Sequence, residues 1–294
     1  MKTFLEQIYS GTALSKIEAK ELLGELVNEK NDPMQIAAVL SALRCRPITI
    51  DEIEGFREGA MERCVKLDFS DFEAIDVCGT GGDGKSTFNI STLVALTVAA
   101  CGVTVAKHGG GAVSSKCGSS DLLQALGYKF TTDESKLKAQ LSAANICFLH
   151  APLFHPSFKN VAPVRKAMGV KTLFNILGPL CNPANLRSQL LGVYSLDLVR
   201  LYTFLGQRLS KNYTIAHSLD GCDEVSLTTQ AKISAGGVES LLSPKDFGLE
   251  KLNYEDLAEG KSIEESVAIF NKIAKGEGTL AQNSAIAANA AWRC

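Results

Sequence analysis

The run Asp76-Val-Cys-Gly-Thr-Gly-Gly-Asp-Gly-Lys-Ser-Thr-Phe-Asn-Ile-Ser-Thr92 constrains this chain more than any other stretch. An apolar strand, Ala74 to Cys78, leads into a turn that carries Gly79, Gly81, Gly82 and Gly84. Glycine reaches backbone conformations closed to other residues, so successive N–H groups can converge on one anion. The apolar stretch Leu93 to Cys101 is long enough for a helix. A helix N-terminus adds free N–H donors and a partial positive charge. The pattern is that of a phosphate cradle.

Two phosphate ligands compete for it. Gly79 to Ser86 fits the pattern G-x-x-x-x-G-K-[ST] of a nucleoside triphosphatase, in which the helix begins at the lysine. Here Lys85-Ser86 is followed by Thr87-Phe88-Asn89-Ile90, which is β-branched, aromatic and turn-prone, and a poor first helical turn. Asn89 or Ser91 is the better N-cap. A triphosphatase also needs an apolar strand ending in Asp, and Ile215-Ala-His-Ser-Leu-Asp220 serves poorly. A glycine turn followed by a separate helix start suits a ligand with two phosphate groups.

The surroundings of the motif define the fold class. Residues 3 to about 66 read as helices only, with Ser15 and Glu18 spaced as a capping box and Asp32-Pro33 opening a further helix. From Ala74 onward short β-rich runs (74–78, 103–107, 145–150, 189–194, 212–217) alternate with helices (91–101, 119–126, 133–143, 196–209). Such alternation predicts an α/β protein: a small N-terminal all-helical domain, about 1–70, and a large α/β domain, 71–294, with a mostly parallel central sheet flanked by helices. A net charge of −2 gives no electrostatic case for nucleic acid. Nine scattered cysteines without a C-x-x-C pair point to a reducing, cytoplasmic setting. The apolar runs are too short to span a bilayer.

Further elements follow in one order: Lys107-His108-Gly109, Ser114-Ser115, Gly118-Ser119-Ser120-Asp121 through Gly127, His155-Pro156, Pro163-Val-Arg165, Asn175 through Pro183, and Asp223-Glu224. With the glycine run they make the chain closely similar to the anthranilate phosphoribosyltransferases of tryptophan biosynthesis, over nearly its whole length. The resemblance implies transfer of the phosphoribosyl group of 5-phosphoribosyl 1-pyrophosphate to the amine of anthranilate, with Mg²⁺ as cofactor. It also implies a homodimer through the helical domain, which a segment near 160–185 joins. Two alternatives are a homologue that binds phosphoribosyl ligands without turnover or with another acceptor, and a pyrimidine nucleoside phosphorylase-like enzyme, which shares a Lys-His element.

Matched residue by residue, phosphoribosyl pyrophosphate is assigned to Gly79, Gly82, Asp83, Thr87, Asn89 and Ile90, then to Ser91, Thr92, Lys107, Ser115 and Ser119. Anthranilate is assigned to Gly79, His108, Gly110 and Arg165, and the metal to Ser91, Asp223 and Glu224. The chemistry suits these types. Adjacent carboxylates on a loop after a strand favour a hard cation, a lysine at a strand end neutralises phosphate, and a guanidinium pairs a carboxylate. Asp83 reads equally as an Asx turn and as a partner of a hydrated cation. His155, before Pro156, reads as structural. Where the family has Lys-His-Gly-Asn-Arg this chain has Lys107-His108-Gly109-Gly110-Gly111, which removes a side-chain hydrogen bond worth about 0.5–1.5 kcal/mol.

Overall fold

The structure is a computed structural model that describes residues 1–111 and 116–291. It divides into two compact units, one of residues 1–67 with 151–185 and one of 68–150 with 186–294.

The first unit is helical. Ser15 caps Lys16–Leu26 in a capping box with Glu18, the Asp32 side chain accepts from Met34 N–H at the start of Pro33–Arg44, and Thr49 pairs with Glu52 at the start of Ile50–Glu62. Glu52 is fully buried and accepts from Leu14 N–H (3.0 Å) and Thr49 N–H (2.9 Å) while pairing with Arg46. Burial alone raises its carboxyl; the Arg46 guanidinium and these N–H groups outweigh it and hold the group below the usual carboxylate range.

Helices Lys16–Leu26 and Ile50–Glu62 pack together through a glycine contact. A Cβ at Gly55 would lie 2.1 Å from the Lys16 carbonyl oxygen and 2.9 Å from Ala19 Cβ. Backbone cannot rotate away, so Gly55→Ala is expected to destabilise this unit by at least about 1–3 kcal/mol, the usual cost of overpacking. A thermal midpoint within a degree of the parent's would refute that.

The second unit holds one seven-stranded sheet. Its strands are β1 (Ile75–Gly79), β2 (Val105–Gly109), β3 (Ile146–His150), β4 (Ser188–Gly192), β5 (Asn212–Ser218), β6 (Ala231–Ala235) and β7 (Val238–Leu242), in the order β3-β2-β1-β4-β5-β6-β7. Strands β1 to β5 pair in parallel, while β5–β6 and β6–β7 are antiparallel. The five expected strands make the parallel part. The hairpin β6–β7 is additional, and turns at Gly236 (φ 56°) and Gly237 (φ 82°).

Helix Ile90–Ala100 is apolar nearly throughout. It buries Leu93, Val94, Val98 and Ala99 in a core with Val77, Val105, Phe148 and, from the last helix, Ala285 and Ile286. The chain winds from β1 outward through β2 and β3, then returns to the other side of β1 with β4. Such a reversal opens a crevice beyond the carboxyl ends of the strands, where open α/β sheets bind ligands.

Candidate active site

The crevice is floored by the glycine turn. After Gly79 ends β1, Gly81 (φ 58°) and Gly82 (φ 68°) are consecutive left-handed residues, a conformation that costs a side chain dearly. Gly81 N–H donates to Asp223 Oδ2 at 2.7 Å, and Asp83 Oδ1 accepts from Lys85 N–H at 3.0 Å in an Asx turn. Helix Ile90–Ala100 starts with Asn89 in the cap position, but the Asn89 side chain does not cap it. Its amide donates instead to the Cys117 carbonyl (2.8 Å), so the first helical N–H groups have no side-chain cap. Lys85 and Ser86 precede this helix, and Lys85 Nζ lies 5.2 Å from the centre of the Tyr254 ring. That placement removes the triphosphatase reading, which needs the lysine at the helix start. Thr87 is held outside the helix by a bridge to Ala258.

Strand β2 brings a cation to the same edge. Buried Lys107 donates from Nζ to the Val77 carbonyl of β1 (2.5 Å) and to Ser91 Oγ (3.3 Å). Thr92 Oγ1 donates to Ser119 Oγ at 3.0 Å, tying the helix start to helix Ser119–Ala125. Ile90 and His108 are buried, and the His108 N–H donates to Asp76 Oδ1 (3.0 Å). Fully buried Asp76 also accepts from Val77 N–H (2.7 Å) and Gln189 Nε2 (3.0 Å), so one carboxylate joins β2, β1 and β4. Beyond β2, a Cβ at Gly110 would meet nothing within 4 Å, whereas one at Gly111 would lie 3.0 Å from Asp121 Oδ1. Ser115 lies outside the described residues.

The third contribution comes from the loop after β5. Asp223 and Glu224 are both buried. A Cβ at Gly79 would lie 2.7 Å from Asp223 Oδ2, and one at Gly192, the end of β4, would lie 1.7 Å from the Asp223 carbonyl oxygen. Ligand atoms of Asp83, Cys222 and Asp223 lie within 4.8 Å of one another. Burial, and then the neighbouring Asp83 and Glu224 carboxylates, pushes the Asp223 carboxyl well above the usual carboxylate range. The structure therefore groups Asp83 with Asp223, while Glu224 of the expected pair falls outside that group and Ser91 Oγ is engaged by Lys107.

Arg165 belongs to the helical unit, on helix Ala162–Met168. Its guanidinium lies 5.2 Å from the centre of the Phe174 ring, donates to Asn175 Oδ1 at 3.5 Å, and has a buried Nε without a hydrogen-bond partner. Burial lowers its pKa from the usual arginine value. His155 is buried in the same unit, with Nε2 2.7 Å from the Cys181 carbonyl and its ring stacked on Phe158, as a structural residue would be.

Comparison with known proteins fixes the class first. The family described as "Glycosyl transferase family, a/b domain" matches residues 71–293, and "Glycosyl transferase family, helical bundle domain" matches 2–64. The chain is 49% identical over 291 residues to the anthranilate phosphoribosyltransferase of Flavobacterium johnsoniae, covering 99% of this chain and 88% of that protein. It superposes on the crystal structure of anthranilate phosphoribosyltransferase from Thermus thermophilus with a TM-score of 0.89 and 35% identity, over 97% of this chain and 86% of that one. The Saccharomyces cerevisiae enzyme in complex with PRPP and Mg matches with a TM-score of 0.86 and 26% identity, over 98% of this chain and 85% of that one. The chain belongs to the anthranilate phosphoribosyltransferase family.

Proposed function

We propose that the protein transfers the phosphoribosyl group of 5-phosphoribosyl 1-pyrophosphate to the amine of anthranilate. The products are N-(5-phosphoribosyl)anthranilate and pyrophosphate. One observation carries this reading: the glycine turn, the uncapped helix start, Lys107 and the Asp223-Glu224 loop all meet at the carboxyl edge of β1, β2 and β5. That edge offers donors for two phosphate groups and an acidic pocket beside them.

The acidic pocket fits Mg²⁺. Asp223 and Asp83 supply clustered hard oxygen donors with Glu224 next in the chain, and a bound cation would offset the burial and like-charge repulsion that raise the Asp223 carboxyl. Asp223 and Asp83 would hold the ion, which would supply charge neutralisation to the departing pyrophosphate. The chain's own groups do the rest. Left-handed Gly81 and Gly82 turn the backbone around the phosphates, and Lys107 adds a fixed positive charge. The anthranilate nitrogen forms its bond to C1 as the C1–oxygen bond to pyrophosphate breaks, and the amine then loses a proton. An aromatic amine is nucleophilic as it stands, so positioning and charge stabilisation suffice.

Arg165 is assigned to the anthranilate carboxylate, which its unpartnered Nε and aromatic platform suit. Arg165→Ala is expected to raise the KM for anthranilate at least about tenfold, the scale of a charged hydrogen bond, and to leave the KM for phosphoribosyl pyrophosphate unchanged. Equal shifts in both constants would reassign the residue. Gly110 has room for a side chain, so Gly110→Asn is expected to lower the anthranilate KM by about two- to tenfold through one added hydrogen bond. A raised KM would show that the open space serves the ligand itself.

Dimerisation through the helical unit belongs to the same reading and is supported by exposed Tyr9, Ile17 and Met34. Sedimentation at micromolar concentration tests it. Among the described residues no helix is long and apolar enough to cross a membrane. The activity test mixes protein, phosphoribosyl pyrophosphate, Mg²⁺ and anthranilate, and follows anthranilate fluorescence. Consumption that needs all components is expected. Its absence in folded protein that still binds phosphoribosyl pyrophosphate would sink the choice of acceptor.

A further inference from the structure

The loop that carries Asp223 and Glu224 is fixed from two sides by buried side chains. From β5, Ser218 Oγ donates to the Glu224 carbonyl (2.7 Å) and accepts from Ser226 N–H (3.0 Å). From helix Leu280–Ala291, Asn289 Oδ1 accepts from Val225 N–H (2.9 Å) and Nδ2 donates to the Val225 carbonyl (2.8 Å). The second Nδ2 proton goes to the Ala285 carbonyl (2.8 Å), so every polar atom of this amide is used. Asn289 is 1% exposed.

Holding one residue by both its N–H and its C=O is the pairing that a neighbouring strand would give. A loop cannot slide or rotate about such a grip without losing both bonds in a dry environment, where each orphaned group is costly. Val225 is chain neighbour to Glu224, so the grip is transmitted directly to the direction of the two carboxylates. An ordinary core role for Asn289 would call for its amide to be satisfied by any partners within reach. It would not select the backbone of the residue next to the acidic pair.

We infer that Asn289 is a positioning residue: through Val225 it holds Asp223 and Glu224 in the orientation that loads Mg²⁺ with phosphoribosyl pyrophosphate. This rests on the proposed function for the identity of the ligand, though not for the clamp itself. The effect falls on cation use and leaves the acceptor side alone.

The test compares Asn289→Ala with Ile286→Ala, which loosens the same helix from its apolar side. Calorimetry measures binding of phosphoribosyl pyrophosphate at stepped Mg²⁺, and thermal melts record stability. Asn289→Ala is expected to raise the half-saturating Mg²⁺ concentration at least tenfold, with Ile286→Ala lowering the melting midpoint but leaving that concentration within twofold of the parent. Equal Mg²⁺ curves for parent and Asn289→Ala, or equal shifts for both variants, would overturn the proposal.

Amide exchange on the unsubstituted protein needs no variant to fold. Peptides covering 222–226 are expected to be as protected as helix Leu280–Ala291, and much faster exchange there would also overturn it. A parent that fails to bind phosphoribosyl pyrophosphate with Mg²⁺ defeats the proposed function, while the exchange result still decides the clamp.

Discussion

Replacing Asp223 by Asn is expected to make the metal-free protein more stable and nearly inactive. The carboxyl is buried among Asp83 and Glu224, and its pKa lies well above the usual carboxylate range. An acid whose folded pKa exceeds its unfolded one binds more protons when folded, so stability falls as pH rises from the unfolded value, near 4, through the folded one. Asparagine keeps an acceptor for Gly81 N–H and offers a side-chain donor to the Asp83 carboxylate that Asp223 faces, so the penalty disappears with the charge. The thermal midpoint without Mg²⁺ should therefore decline from pH 5 to pH 8 in the parent and flatten in Asp223→Asn. Activity should fall by about 10²–10³-fold, the scale set by removing one preorganised electrostatic group. A variant less stable than its parent at pH 8, or one retaining half the activity, would contradict this account.

Gly192→Ala should have an effect of similar size without touching a charged group. The added Cβ would lie 1.7 Å from the Asp223 carbonyl oxygen and 2.9 Å from its carbonyl carbon, and both are backbone atoms. The Gly192 carbonyl also accepts from Thr80 N–H at 2.9 Å, so β4 cannot retreat without disturbing the glycine turn. The loop after β5 must move instead. Overpacking of this kind costs about 1–3 kcal/mol or more. Displacing the acidic pair should weaken Mg²⁺-dependent binding of phosphoribosyl pyrophosphate and lower kcat/KM by at least about a hundredfold, since misplacements near 1 Å carry penalties of that order. Steady-state kinetics within fivefold of the parent would show that the loop tolerates the shift.

The contrast between these two residues explains what the amino-acid order revealed. The glycine turn and the parallel strands are local features, written in consecutive residues, and the strands lie within two residues of their expected bounds. Helix caps at Ser15 and Asp32 were legible for the same reason. The uncapped start at Ile90 was not, because Asn89 spends its amide on Cys117, a contact that only the fold brings close. Hairpin β6–β7 had a signal, Gly236-Gly237 between two short strand-like runs, which the expected strands did not include. Gly192 and Asn289 stand outside the phosphate motif, and Asp76 stands at its head without a sign of what it joins. Their importance comes from a carbonyl, a shared carboxylate and a backbone clamp, each joining residues far apart in the chain.

The described cysteines are all free; Cys64 and Cys78 are half-buried, with burial raising both thiols. Burial pushes the thiols of Cys147 and Cys181 up to about 12, and Cys222 well above its ordinary value, so none of these offers a thiolate at neutral pH. Cys45 and Cys101 are exposed, one in each compact unit. With Cys64 and Cys294 changed to Ser, the chain thus carries its own pair of chemically addressable handles. A donor dye on one and an acceptor on the other would turn any ligand-driven change in the spacing of the two units into a colour change, read in solution on single molecules.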